Sequence, residues 1–206
     1  MTATHVPPTE VAINDAPEAP VARPRVLMVG TAFAVAAMLM SFAALIGIYL
    51  TERSAAIYSG TAWIPDGVVI PLNQPNVMLF ALLSSSVTIQ WAVDAARRDD
   101  RQQAYLALGL TVVFGLGVIN MGAYLYTVMG LDMAVASLTP VLIYTITGAH
   151  LFALAGAVVF TGLMAFRALG GQYTSRQYDG LSAAALFWHA QVIVFVTIWY
   201  AIYITK

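Results

Sequence analysis

The stretch from Pro140 to Phe166 carries no formal charge, and at about 1.5 Å per residue it is long enough to cross a bilayer as a helix. His150 is its one residue that titrates near neutral pH. Ala149, Ala153, Ala157, Thr161 and Ala165 recur every four residues. That spacing draws a stripe of small side chains along one helix face, where a neighbouring helix can approach closely. His150 lies beside the stripe, three residues before Ala153 and seven before Ala157. Its ring is therefore expected to face protein, because a polar ring in hydrocarbon is costly.

The rest of the chain has the same character. Hydrophobic residues make up 60% of the sequence and charged residues 9%, against about 25% charged in an ordinary soluble domain. The composition predicts an all-α integral membrane bundle. A net charge of −1 supplies no basic field for nucleic acid, so nucleic-acid binding is excluded as a function class. With no cysteine there is no disulfide framework, no thiolate metal site and no cysteine nucleophile.

In chain order, residues 1–25 form a proline-rich, acidic segment with too little apolar surface to fold, and are expected to be a flexible tail. Five apolar runs follow, predicting spans over about 26–50, 76–96, 105–129, 140–166 and 181–204 in a single domain, 26–206. The first run is too long for a cleaved signal sequence and is expected to be retained. Its Gly30, Ala34, Ala37, Ser41 and Ala44 form another small-residue face. The segment from Thr51 to Pro75 reads as a surface loop containing Arg53, with Tyr58 and Trp63 placed as interfacial anchors. The second span carries Ser84, Thr88, Ala92 and Ala96 on one face. The third offers Asn120 as a buried amide, and the fifth carries Trp188, His189 and Gln191.

Five spans put Arg23, Arg25, Arg97, Arg98, Arg101, Arg167 and Arg176 on one side, against Arg53 and Lys206 on the other. The positive-inside rule then predicts a cytoplasmic N-terminus and a C-terminus outside. None of the ten acidic residues falls at mid-membrane, and Asp94 sits at a cytoplasmic rim beside Arg97 and Arg98. A proton-driven transporter or charged-filter channel is disfavoured. His150 and His189 raise the alternative of a membrane b-type cytochrome with two imidazole ligands. Depth argues against it, because His150 lies about 15 Å from the outer end of its helix and His189 about 12 Å from the inner end of one about 35 Å long. Two histidines hydrogen-bonded between packed helices is the favoured reading.

Several short patterns then agree in order and spacing. Leu39-Met40-Ser41-Phe42-Ala43 with Tyr49, Thr51 and Arg53, the pair Trp63 and Pro65, Ser84-Ser85 with Thr88, Gly148 with His150, and Phe187-Trp188-His189 together resemble subunit III of the haem-copper terminal oxidases. The closest likeness is to its short five-helix bacterial form. The sequence departs from that pattern at Met38 and Leu125, where the family carries glutamates, at Ala153, in place of a second histidine, and at Val192, in place of an aspartate. The resemblance implies a bacterial plasma-membrane accessory subunit of an aerobic respiratory chain, packed on the catalytic subunit I and holding phospholipid. It implies no cofactor in this chain, with haem and copper in partner subunits. It leaves no catalytic or metal-binding residue here, and makes His150, Trp188, His189, Arg53, Trp63, Ala153 and Ala157 candidates for lipid or subunit contact. Attachment to another respiratory complex, such as a nitric oxide reductase, is the remaining alternative.

Overall fold

The computed structural model describes residues 25–65, 68–131, 137–171, 173 and 178–205, so the expected N-terminal tail lies outside the described residues. Five helices account for most of the rest: α1 Val26–Tyr58, α2 Asn73–Arg97, α3 Arg101–Val128, α4 Leu138–Leu169 and α5 Asp179–Ile198. The last continues directly into a π-helical turn, Trp199–Ile204. All five are long and apolar enough to span a membrane.

Helix α1 runs eight residues past Leu50, into the segment expected to be loop. Thr51–Tyr58 contains neither proline nor glycine, so nothing in it breaks the backbone ladder. The helix ends where Gly60 takes a positive φ of 76°, the left-handed conformation that commonly closes a helix. Pro75 and Pro140 fall inside α2 and α4, each as the third helical residue. The N–H that proline lacks is one of the four at a helix start with no intrahelical partner.

Helix α5 is the central strut. It packs against α1, α2 and α4, while α2 lies along α3 and α3 along α4. Its buried residues include Ala183, Ala184, Trp188, Gln191, Val194 and Phe195, so most of its circumference faces protein. Small residues in its N-terminal half, Gly180, Ala183, Ala184 and Ala185, let the neighbours come close. The small stripe of α4 is only partly in a helix seam: Ala157 and Thr161 are buried, whereas Ala149, Ala153 and Ala165 lie at its edge. The centre line of contact runs one position over, through Ile146, His150, Leu154 and Ala157. The small face of α1 is not used within the chain, since Gly30, Ala34, Ala37, Ser41 and Ala44 are all exposed. Asn120 is exposed too, contrary to the expectation of a buried amide; it projects from the side of α3 opposite Val118 and Gly122, which are buried.

Candidate functional site

Three polar clusters of the interior involve α5. At the first, Trp188 is completely buried and donates its indole N–H to Ser85 Oγ of α2 at 2.9 Å. Ser85 in turn donates to the Leu82 carbonyl at 2.7 Å, so the polar atoms of this contact are satisfied in sequence. The indole also reaches α3, because a Cβ added at Gly115 would sit 2.7 Å from Trp188 Cη2 and 2.6 Å from Val158 Cγ2. Three helices, α3, α4 and α5, thus meet at one glycine, and the same indole ties in α2 through Ser85.

At the second cluster His150 is buried between the rings of Phe42 and Phe195, with centroids 6.3 and 5.3 Å away. Its Nε2 lies 3.1 Å from the carbonyl of Gln191. A carbonyl only accepts, so Nε2 carries the proton. The fully buried Gln191 side chain donates its amide N–H to Met38 Sδ at 3.0 Å, while its Oε1 has no hydrogen-bond partner. On the far side of His150 lies a cavity of about 10 Å³ lined by Leu125, Tyr126, Thr147 and Phe195, no larger than one water molecule needs. Met38 and Leu125, the two positions where the resembled pattern carries glutamates, therefore both come close to His150, one through Gln191 and one across this cavity.

At the third cluster His189 turns the other way. Its Nδ1 is 2.7 Å from Ser86 Oγ of α2. His150 is level with Gln191, two residues from His189, which is a rise of only about 3 Å. Direction more than depth separates the imidazoles. Two residues along a helix rotate by about 200°, so the α5 positions they engage face α4 and α2 respectively. They do not converge on one ligand.

Trp63 makes contacts within the chain. It folds inward, half-buried, donating its indole N–H to the Tyr49 hydroxyl at 3.1 Å with the rings edge to face at 5.4 Å. Its carbonyl accepts from Thr139 Oγ1 at 2.7 Å, which clasps α1 to the start of α4. Arg53, one turn beyond Tyr49, is half-buried, and its Nε has no hydrogen-bond partner. Tyr58 is 92% exposed, as an interfacial residue would be. Asp94 pairs with Arg97 at 3.6 Å on the exposed end of α2. Outside the spans, burial pushes the Tyr173 hydroxyl up, opposed by the Arg167 guanidinium near it.

Sequence reasoning found Trp188 and both histidines but gave no role to Ser85, Ser86, Tyr49 or Gln191. Gln191 carries a usable signal: an amide three residues after Trp188, on the same face of an apolar helix, has to find a protein partner. Because that partner is a thioether and its oxygen has none, Gln191→Leu should cost under about 1 kcal/mol or stabilise the fold, since an imperfectly paired buried amide contributes little net. The midpoint of unfolding in mixed detergent micelles checks this. A loss of several kcal/mol would mean that the amide makes a bond the geometry does not reveal.

A family model described as "Cytochrome c oxidase subunit III" matches residues 19–206. Curated relatives named "Cytochrome c oxidase subunit 3" include those of Strongylocentrotus purpuratus, 28% identical over 79% of this chain and 63% of theirs, and Pelomedusa subrufa, 29% identical over 75% of this chain and 60% of theirs. That of Chondrus crispus is 25% identical over 83% of this chain and 63% of its own. The chain thus spans a little under two thirds of the length of these relatives. With a match over nearly its whole length and five membrane-spanning helices, the chain is a multi-pass membrane protein of the cytochrome c oxidase subunit III family.

Proposed function

We propose that the chain is an accessory subunit of a bacterial aerobic terminal oxidase, holding no cofactor itself, that stabilises the catalytic subunit I in the plasma membrane and binds phospholipid. Haem, copper and dioxygen reduction belong to partner subunits in this reading. The supporting observation is how the interior polar groups are used. Trp188, His150 and His189 each make a hydrogen bond to a neighbouring helix, and the positions beside His150 that the resemblance gives as carboxylates are Met38 and Leu125. Such a core, with no carboxylate at either position beside His150, fits packing better than carboxylate-borne proton transfer across the membrane. The relatives' names place them within an oxidase of several subunits, and the exposed apolar side chains Phe152, Val159 and Phe166 of α4 suit contact with lipid.

Removing the chain from the purified complex should leave the initial turnover close to normal and shorten the working life severalfold, with partners identified by mass spectrometry of what copurifies. Immediate loss of initial rate with every cofactor retained would refute the scaffold role. The orientation, N-terminus cytoplasmic and C-terminus outside, follows from seven arginines against two basic residues. In intact cells an impermeant thiol reagent should reach a cysteine placed at Thr205 and miss one placed at Thr4. The reverse pattern would invert the topology.

A further inference from the structure

Ser86, Gln90 and Asp94 of α2 and Arg98, the residue that caps it, recur every four residues, so they form a polar ladder on one helix face, about 6 Å per rung and about 18 Å from end to end. The ladder faces outward. Gln90 and Arg98 are exposed, and Ser86 and Asp94 half-exposed, along an open groove of about 860 Å³ that His189 enters from α5. The lowest rung, at the cytoplasmic rim in the proposed orientation, is charged. The upper ones, Gln90 and the Ser86–His189 pair, lie well inside the span, with Val87 exposed between them and Leu83 exposed just beyond Ser86. A hydrocarbon surround would leave the Gln90 amide and the second nitrogen of His189 without partners, which polar groups in a membrane avoid.

We propose that this face of α2 docks a membrane-spanning helix of a different chain, one whose facing side carries hydrogen-bonding side chains at helical spacing. The inference rests on the accessory-subunit reading and names the surface through which it acts. A phospholipid head group would suit Arg98 at the rim, but its acyl chain offers nothing to Gln90 or His189, about 12 to 18 Å deeper. A second copy of this chain fits poorly as well. Two copies related by an axis along the membrane normal meet at equal depth, which sets Asp94 against Asp94 and Arg98 against Arg98. A helix from another chain meets neither objection, because it brings one side chain per 1.5 Å of depth and its sequence is free to complement each rung.

The absence of cysteine allows single cysteines at Val87, at Gln90 and, as a control on α4, at Val159, each carrying a benzophenone and irradiated in membranes holding the assembled complex. Val87 and Gln90 should give an adduct with one copurifying subunit, mapped to a membrane-spanning peptide, while Val159 gives lipid adducts. Gln90→Leu should lower the partner retained through a detergent wash about three- to tenfold, and Gln90→Asn less. Lipid adducts alone at Val87 and Gln90, with partners still copurifying, would overturn this surface and leave the accessory role intact. An adduct of twice the chain's mass would replace the partner with a second copy. If no other chain copurifies, the accessory-subunit reading fails and the inference with it.

Discussion

Gly115→Val should destabilise the bundle by about 3 kcal/mol, near the upper end of what overpacking a core costs. A Cβ at that position meets Val158 Cγ2 at 2.6 Å and Trp188 Cη2 at 2.7 Å, both closer than side chains tolerate. Trp188 cannot step aside without breaking its bond to Ser85, and Val158 has a single branched rotor with little freedom in a helix. Gly115→Ala should cost about 1 to 2 kcal/mol, since it adds the clashing atom alone. Pairing it with Val158→Ala should recover part of the loss, because one of the two clashing groups is then gone. Unfolding midpoints in mixed micelles give the four values. If Gly115→Ala is neutral and the second substitution restores nothing, the three-helix contact at Gly115 is looser than the geometry indicates.

Trp188→Ala should be comparably damaging for the opposite reason. In soluble proteins such a truncation of a fully buried aromatic costs about 3 to 5 kcal/mol, part from transfer out of water and part from the cavity left behind. Within a bilayer the separated helix exposes its tryptophan to lipid, which is as apolar as the core, so the transfer part shrinks and the cavity part stays. The expected loss is therefore about 2 to 4 kcal/mol. Trp188→Phe keeps most of the ring and loses the N–H, so about 1 kcal/mol of it should remain. Ser85→Ala should match that smaller figure. A Phe variant as unstable as the Ala variant would mean the hydrogen bond, not the packing, carries the contact.

A contact is legible in the sequence where local pattern alone determines it. Five spans followed from apolar run length, because a bilayer imposes that length on any helix crossing it. The Trp188–His189 pair stood out because both residues have polar atoms in an apolar run. The helix end after Tyr58 was missed, because polarity at Glu52 and Arg53 looked like loop when the backbone had no reason to stop. The clasp made by Trp63 is not legible for a related reason: an aromatic near a membrane boundary suits an anchor and a clasp equally, and only tertiary packing brings it to Tyr49 and Thr139. Asn120 and Gln191 are both amides in apolar helices, and periodicity in a bundle buried to different depths on different sides could not say which one faced inward. Nothing in the sequence pattern alone joined Met38, His150 and Gln191, which lie on three helices and meet only through tertiary packing.

The π-helical turn at the end of α5 changes how residues beyond Ile198 should be counted. A turn closed by i→i+5 bonds holds one more residue than an α-turn would, so the backbone carries what is in effect an insertion without unwinding. Past it, every side chain is rotated by about 100° from where a 3.6-residue count would put it. Within the turn Ala201, Ile202 and Tyr203 are buried in succession, and at its first residue the Trp199 indole N–H donates to Asn76 Oδ1 at 2.9 Å. A homologous sequence one residue shorter between Ile198 and Tyr203 would therefore be the unbulged form of the same helix, and an alignment that spread the gap elsewhere would pair inward-facing residues with outward-facing ones down to the terminus.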